Sequence, residues 1–559
     1  MIVQMKHLDL VCAASARLQT LERLRSFGAV HLNLSSANAP SVSAAQGALA
    51  DAEKAVRIIL KARGKREDLP IRARSVEEVL HLDEDRQTLI AEQERLGREI
   101  RALEPYGDFD VALAKKLQGE VSGLSDFVEL PAPLPEMRLS RLVEKSARIA
   151  NRIRIDNEKL ASCDEKAILA SHPVLKDRVE FEQAKELLAD HGAVSVISGW
   201  IPVTRVKELM DIVTSARFDL FERVNAIGWG VLLRDPEPGE LPPTLIEPPR
   251  FFRAARTLFE GLGIAPAYTE GDVSVPFLCY FSVFFAMLVG DGAYGAIMLA
   301  ATLLMRKRLP RAWFAMLSVF SSATVLWGVL SNTWFGAGIP WCASWPTVCW
   351  LADPSYRNMM LLCFTIGVSH LMLARIWNGV CRFPDSTSLA EFGWAGILLF
   401  MYFVTNSIVG VFGGVPTLMF WVFGLSLALV FLFTVKPSEL KARGAELGML
   451  PLNVMSALGD IISYVRLFAV GLASVKVAEN FNSMAMGLFS ESNSFLANAL
   501  VAVAAAAILI IGHALNLAMA GLSVLVHAVR LNTLEFSNHK GVSWAGYAFR
   551  AFGASRRKE

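Results

Sequence analysis

No stretch of this 559-residue chain carries the GxxxxGK[ST] loop whose backbone cradles nucleotide phosphates, so the chain is not expected to hydrolyse ATP itself. HExxH and GxSxG are also missing, and no paired carboxylates stand at a spacing suited to acid–base work. The seven cysteines lack CxxC or Cys/His spacing, which argues against a zinc site. Basic stripes with interleaved aromatics are absent, so nucleic acid is not an expected partner. The opening "MIVQMKHLDL" lacks the charged region and apolar core of a secretory signal. The expectation is a chain with no enzyme chemistry and no cofactor of its own.

Long apolar runs are abundant instead. The 53% hydrophobic and 19% charged averages hide two unlike halves. Up to about residue 250 the chain is charged and soluble in character; from 275 to 535 it is mostly apolar runs of membrane-spanning length. We therefore expect residues 1–250 to form an arm, 251–274 a linker, 275–535 a polytopic all-α membrane domain and 536–559 a tail.

In the arm, "MKHLDLVCA" reads as a strand, "SARLQTLERLRSFG" as a helix closed by Gly28, and "AVHLNL" as a strand. A second small α/β unit is expected from "AVSVISGWI", "PVTRVKELMDIVTSA" and "RFDLFERV". The fold class is thus mixed, with two α/β lobes, about 1–35 and 193–230, joined by a helical coiled coil. Three charged helical stretches lie between them. Leu89, Ile90, Leu96, Ile100 and Leu103 recur at helical spacing, as do Leu139, Leu142, Ile149, Ile153 and Leu160. "RDPEPGELPPTLIEPPR" is a Pro-rich linker.

The membrane half divides into about eight apolar helices. The first two are short and meet at Gly290-Asp291-Gly292, which leaves a re-entrant hairpin open as an alternative to two crossings. The seventh is expected over about 456–478 and the eighth over about 495–530. Lys and Arg fall in alternate loops, at 306–311, 375, 382 and 436–443, and in the final "RRKE". By the positive-inside rule both termini are cytoplasmic. Cys342 and Cys349 then share an outer loop, either as a disulfide or as two free thiols.

Arg466 stands within the apolar "SYVRLFAVGLAS". A charge at membrane depth costs at least about 2.5–3.5 kcal/mol on insertion scales, so an intramembrane arginine points to function. Gly459, Ser463, Arg466, Val470 and Ser474 share one small, polar helix face. Arginine stays charged, which makes it a poor proton carrier and a good fixed charge for discharging a passing carboxylate. The plainer reading is an arginine paired within its own chain. On the last helix His513, Asn516, Ala520, Ser523, His527 and Arg530 form one stripe, either a hydrated path or interhelical hydrogen bonding. Arg530 also suits an anchor at the helix end. Asp291 is placed to cap a helix start, and Asp460 lies nearly opposite Arg466 on its helix.

"FFAMLVGDGAYGAIML" (with Asp291, Tyr294 and Gly295), "WGVLSNTWFG", "SYVRLFAVGLA", "VHAVRLNTLEF" (with Arg530 and Glu535) and "SGWIP" together resemble the a subunit, or subunit I, of V-type and V/A-type rotary ATPases. The resemblance runs over nearly the whole chain. It implies a stator: an arm contacting peripheral stalk subunits E and G, with central-stalk subunit d/C as a further candidate contact. It implies a membrane half beside a ring of proteolipids with embedded carboxylates, in a prokaryotic cytoplasmic membrane. Two half-channels would deliver H⁺ or Na⁺ to the ring, with Arg466 as the essential arginine and Arg530 as the second. The chain departs from eukaryotic members at Ala520, where they carry glutamate, and at Ser474, where they carry histidine. Ser463, Ser474, His513, Asn516, Ser523, His527 and Glu535 are therefore local candidates for the ion path.

Two other classes remain. A stand-alone secondary transporter would need its own carboxylate paired with Arg466, and none is evident in the sequence. A membrane-anchored scaffold would have no need of Arg466.

Overall fold

The structure is a computed structural model that describes residues 2–32, 40–64, 71–120, 135–186, 189–191, 193–218, 229–338, 356–435, 445–488 and 495–553. It divides into two compact units, Met5–Asp235 with Arg550–Glu559, and Met1–Gln4 with Pro236–Phe549.

In the first unit, β1 (Met5–Ala13), β2 (His31–Leu32), β3 (Ala189–His191), β4 (Val194–Pro202) and β5 (Gly230–Arg234) form one five-stranded sheet. β1 pairs antiparallel with β4 along its whole length, from Met5 opposite Pro202 to Ala13 opposite Val194. The two separate lobes expected from sequence are thus one. Alternation marks which residues are strand, but nothing local says which strand pairs with which, and the intervening helices return the chain to its start. Leu8, Leu10 and Cys12 alternate onto the buried face, against Leu21, Leu24 and Phe27 of α1 (Arg17–Phe27).

Helices α2 (Pro40–Arg63), α3 (Val76–Leu103), α4 (Val111–Glu120), α5 (Leu139–Ala161) and α6 (Glu165–Glu186) follow, and α7 (Val206–Phe218) comes after β4. Leu96 and Leu103 of α3 bury against Leu142 and Ile149 of α5, pairs seven residues apart on each helix. Ile59 of α2, Val79, Leu160 and Ile168 make a second cluster. α6 was not expected, and it keeps Pro173 inside it. "RFDLFERV" begins inside α7, which runs through Phe218; its remainder lies outside the described residues.

The second unit opens with α8 (Arg253–Leu262), a short helix inside the expected linker that buries Ala254, Ala255, Leu258 and Phe259. α9 (Ser274–Val289) and α10 (Gly292–Leu304) follow; the pair, carried to Lys307, is bent by 119°. Then come α11 (Arg311–Ser331), α12 (Arg357–Arg382), α13 (Thr387–Ile408), the apolar α14 (Thr417–Phe433), α15 (Leu450–Ile462), α16 (Val465–Gly487) and α17 (Phe495–Ser523). Five helical segments among the described residues are long and apolar enough to cross a membrane: Arg311–Ser331, Arg357–Arg382, Thr387–Ile408, Leu450–Gly487 and Ala499–Lys540. The chain is an integral membrane protein. Phe277, Phe281, Phe284, Phe364 and Tyr464 lie in one buried core.

Two irregularities position the site. The expected seventh helix is interrupted at Ser463–Tyr464, directly before Arg466. Bonds from Tyr464 N to Ile461 O (3.1 Å), Arg466 N to Ser463 O (3.3 Å) and Leu467 N to Tyr464 O (3.1 Å) tighten the turn. The last helix runs on past the expected residue 530, through π-helical stretches Val524–Ala528 and Leu531–Phe536, to Lys540.

Candidate ion-path site

Arg466 enters the first turn of α16 with its backbone tied to the break. Its Nε donates at 2.9 Å to Ser463 O, the carbonyl that also takes the long Arg466 N–H bond of the tightened turn. Its Nη2 pairs with Glu535 Oε1. The same oxygen lies 3.6 Å from Arg530 Nε. Glu535 is 5% exposed, Arg466 20% and Arg530 55%, so one buried carboxylate stands between a sheltered and a half-exposed guanidinium. Its Oε2 is buried without a hydrogen-bond partner.

The expectation that no carboxylate pairs with Arg466 is overturned. The reason is helical geometry. In an α-helix residues i and i+5 point about 140° apart, so Arg530 and Glu535 would not face each other. The π stretch bonds i to i+5 and brings such residues into line. The five-residue Arg530–Glu535 spacing within "RLNTLEF" was the available signal.

A second polar group lies farther along α16, where Ser474 is about 12 Å of helix rise from Arg466. Tyr294 Oη meets His513 Nδ1 at 2.8 Å, and Asn516 Nδ2 donates to Tyr294 Oη (3.0 Å) and to Ser474 O (2.8 Å). Ser474 Oγ donates to Val289 O (3.2 Å) and Asn516 Oδ1 (3.3 Å). His513 Nε2 reaches Asn482 Oδ1 at 3.2 Å. Tyr294, Ser474 and Asn516 are buried, so this is a closed chain of hydrogen bonds across α9, α10, α16 and α17.

Beside it, Asp291 starts α10. Its Oδ1 accepts from Ala293 N and its Oδ2 from Gly336 N, both at 2.8 Å. A Cβ on Gly295 would stand 2.7 Å from Val325 N, which is why α10 needs glycine there to lie against α11. Ser523 ends α17, just before the first π stretch, and His527 lies within that stretch with its Nδ1 buried and unpartnered. Cys342 and Cys349 lie outside the described residues.

Sequence reasoning missed a third group. Arg375 and Arg382 were read only as loop charges. The structure sets both on the buried Glu391, at 3.1 and 2.7 Å. Arg375 Nε also donates to His539 Nδ1 (3.0 Å), and His539 Nε2 meets Asp460 Oδ2 at 3.0 Å. A polar cavity of about 440 Å³, lined by Arg375, Asn453, Ser456, Asp460, Asn538 and His539, opens beside this relay.

The fold and site define a polytopic helical membrane protein in which a partly buried arginine shares one buried carboxylate with a second arginine. No protein-family profile matches the chain. It is 32% identical to V-type ATP synthase subunit I of Borreliella burgdorferi over 397 residues, covering 67% of this chain and 62% of that protein. It is 28% identical to V-type ATP synthase subunit I 1 of Treponema pallidum over 99% of this chain and 100% of that protein. A-type ATP synthase subunit I of Methanocaldococcus jannaschii is 22% identical over 84% of the chain and 68% of its own length. The chain belongs to the subunit I family of V-type and A-type ATP synthases.

Proposed function

We propose that this chain is the membrane stator of a rotary ATP synthase or ATPase, conducting H⁺ or Na⁺ past a proteolipid ring while nucleotide chemistry occurs on other subunits. The observation that carries this reading is Arg466, an always-charged group inside the apolar unit and held in place at a helix break. An ionised ring carboxylate is its natural partner. An ion arriving by one half-channel neutralises that carboxylate, which can then face lipid; on return it meets Arg466 and releases the ion to the other half-channel.

We assign the outer half-channel to the Tyr294–His513–Asn516–Ser474 chain and the inner one to the cavity at Asp460 and His539. Ser523 and His527 lie between Asn516 and the arginine pair on the last helix. The first unit, with its long α3–α5 pair, is the arm for peripheral stalk subunits E and G and for a central-stalk subunit d/C. Both termini face the cytoplasm. In this reading there are eight crossings when the bent α9–α10 pair counts as two.

A stand-alone transporter is the second reading, favoured by Glu535, which supplies the carboxylate that such a protein needs. Against it, Glu535 stands between two guanidinium groups of its own chain, Arg466 and Arg530, which suits a fixed counter-ion better than an ion carrier. Gentle detergent purification with mass spectrometry separates the two. The stator reading predicts a small proteolipid with an embedded Glu or Asp, together with nucleotide-binding and stalk subunits. A chain that purifies alone and still moves ions in liposomes would overturn it.

A further inference from the structure

Two guanidinium groups and one carboxylate leave the Arg466–Glu535–Arg530 cluster one negative charge short. The deficit is arranged unevenly. Arg466 is anchored through Nε to Ser463 O, whereas Arg530 is half exposed and its Nε stands 3.6 Å from the shared oxygen. Glu535 Oε2 is buried and has no partner. The carboxylate therefore has spare acceptor capacity and a movable second cation.

The fork geometry of arginine adds a constraint. A carboxylate pairs with guanidinium most strongly through two parallel N–H bonds. On Arg466 one fork uses Nε and Nη2, and the other uses Nη1 and Nη2. Nη2 is common to both, and Nη2 is the group that Glu535 holds. Nε is held by Ser463 O, so the Nη1–Nη2 fork is the one open to an incoming carboxylate, and there it meets Glu535 across the shared Nη2 and competes with it.

We propose that Glu535 is the resident counter-ion of Arg466 and that each arriving ring carboxylate displaces it onto Arg530. This rests on the stator reading above. In the exchange the ring acid's O–H bond breaks and its proton passes to water in the exit half-channel, which is the outer one during ATP-driven pumping. The ring oxygens take the Arg466 fork. Glu535 takes no part in the proton transfer and is received by Arg530. When the ring carboxylate moves on to be reprotonated, Glu535 returns. Arg466 thus keeps a counter-ion at every stage, and its hold on each ring carboxylate is weakened enough for release.

The test is ATP-driven ion uptake as a function of pH, in membrane vesicles holding the whole complex. The other titratable or charged groups around the cluster are Tyr464, Asp460, His370, Tyr280, His527 and Arg530, and they stay in place in the Glu535 variant. In Glu535→Gln, Arg466 has no resident partner and grips the ring carboxylate too firmly. Uptake is expected to fall about tenfold and the acid limb of the profile to move to lower pH by roughly one unit. In Arg530→Gln, Glu535 has nowhere to go and competes with the ring carboxylate. Uptake again falls, and the acid limb moves to higher pH.

Labelling of the ring carboxylate by a carbodiimide, which needs the protonated acid, should slow in the first variant and quicken in the second. A merely structural Glu535 would change the amount of complex but not these opposite shifts. If Glu535→Gln fails to assemble, Arg530→Gln decides alone: an acid limb that stays put or moves down overturns the exchange. Normal rate and profile in both variants overturn it as well. Absence of a ring from the purified wild type, or normal transport in Arg466→Ala, overturns the stator reading instead.

Discussion

Arg466 is costly to keep in an apolar unit, and its surroundings meet that cost in three ways. The Ser463 carbonyl at the helix break takes its Nε, Glu535 takes its Nη2, and 20% of the side chain stays exposed. Asp291 answers a different need, because both its oxygens serve backbone N–H groups. Removing it takes away a helix cap worth about 1 kcal/mol and leaves the buried Gly336 N–H unpaired at about 1–3 kcal/mol. Asp291→Ala is therefore expected to lower the melting temperature in detergent by several degrees, with Asp291→Asn recovering part of the loss. An unchanged melting curve would refute this role. The individual residues were largely legible: Arg466, Arg530, His513 and Asn516 stand out as polar groups in apolar runs. Glu391 and His539 were not, because their meaning lies in partners far away in sequence.

At the scale of elements, departures from regular helix govern the site. The break at Ser463–Tyr464 sets the Ser463 carbonyl against Arg466 Nε, and the π stretches turn Glu535 toward both arginines. Neither was legible, since periodicity analysis assumes one constant turn angle and both features alter it. The close pairing of α10 with α11 is a backbone matter. Gly295→Ala would drive a methyl to within 2.7 Å of Val325 N, which cannot swing aside, whereas a Cβ on Gly424 in α14 meets nothing within 4 Å. Fluorescence-detected gel filtration should show Gly295→Ala depleted in folded protein and Gly424→Ala unaffected or slightly improved by its higher helix propensity. Equal yields would contradict the packing argument.

Across the whole molecule, the chain's two ends complete units that the middle builds. Ile2 bridges Ile246 in the membrane unit, and Phe552 buries into the core of the sheet unit. The single sheet escaped sequence reasoning for this reason: its strands are contributed from positions nearly two hundred residues apart. In that unit a neutral His31 Nδ1 accepts the Arg550 N–H at 3.0 Å, and the same nitrogen lies 2.9 Å from Arg550 O. Burial holds the imidazole below its ordinary value, against the raising effect of the Arg550 carbonyl, to which a protonated Nδ1 donates. The unfolded chain therefore takes up the proton first as pH falls. The contribution of His31 to stability is complete above about pH 6.5 and is lost as pH drops through the lower folded value. Corrected hydrogen exchange of the Arg550 amide should quicken below pH 6.5 and lose that extra pH dependence in His31→Gln. Exchange that shows no such acceleration would contradict the assignment.

The stator account rests most heavily on the fixed charge at Arg466. The most direct measurement is ATP-driven ion uptake by vesicles containing the Arg466→Ala complex, after mass spectrometry has verified that its subunits are assembled. The account predicts an intact complex with coupled transport abolished. Uptake at the wild-type rate would contradict it.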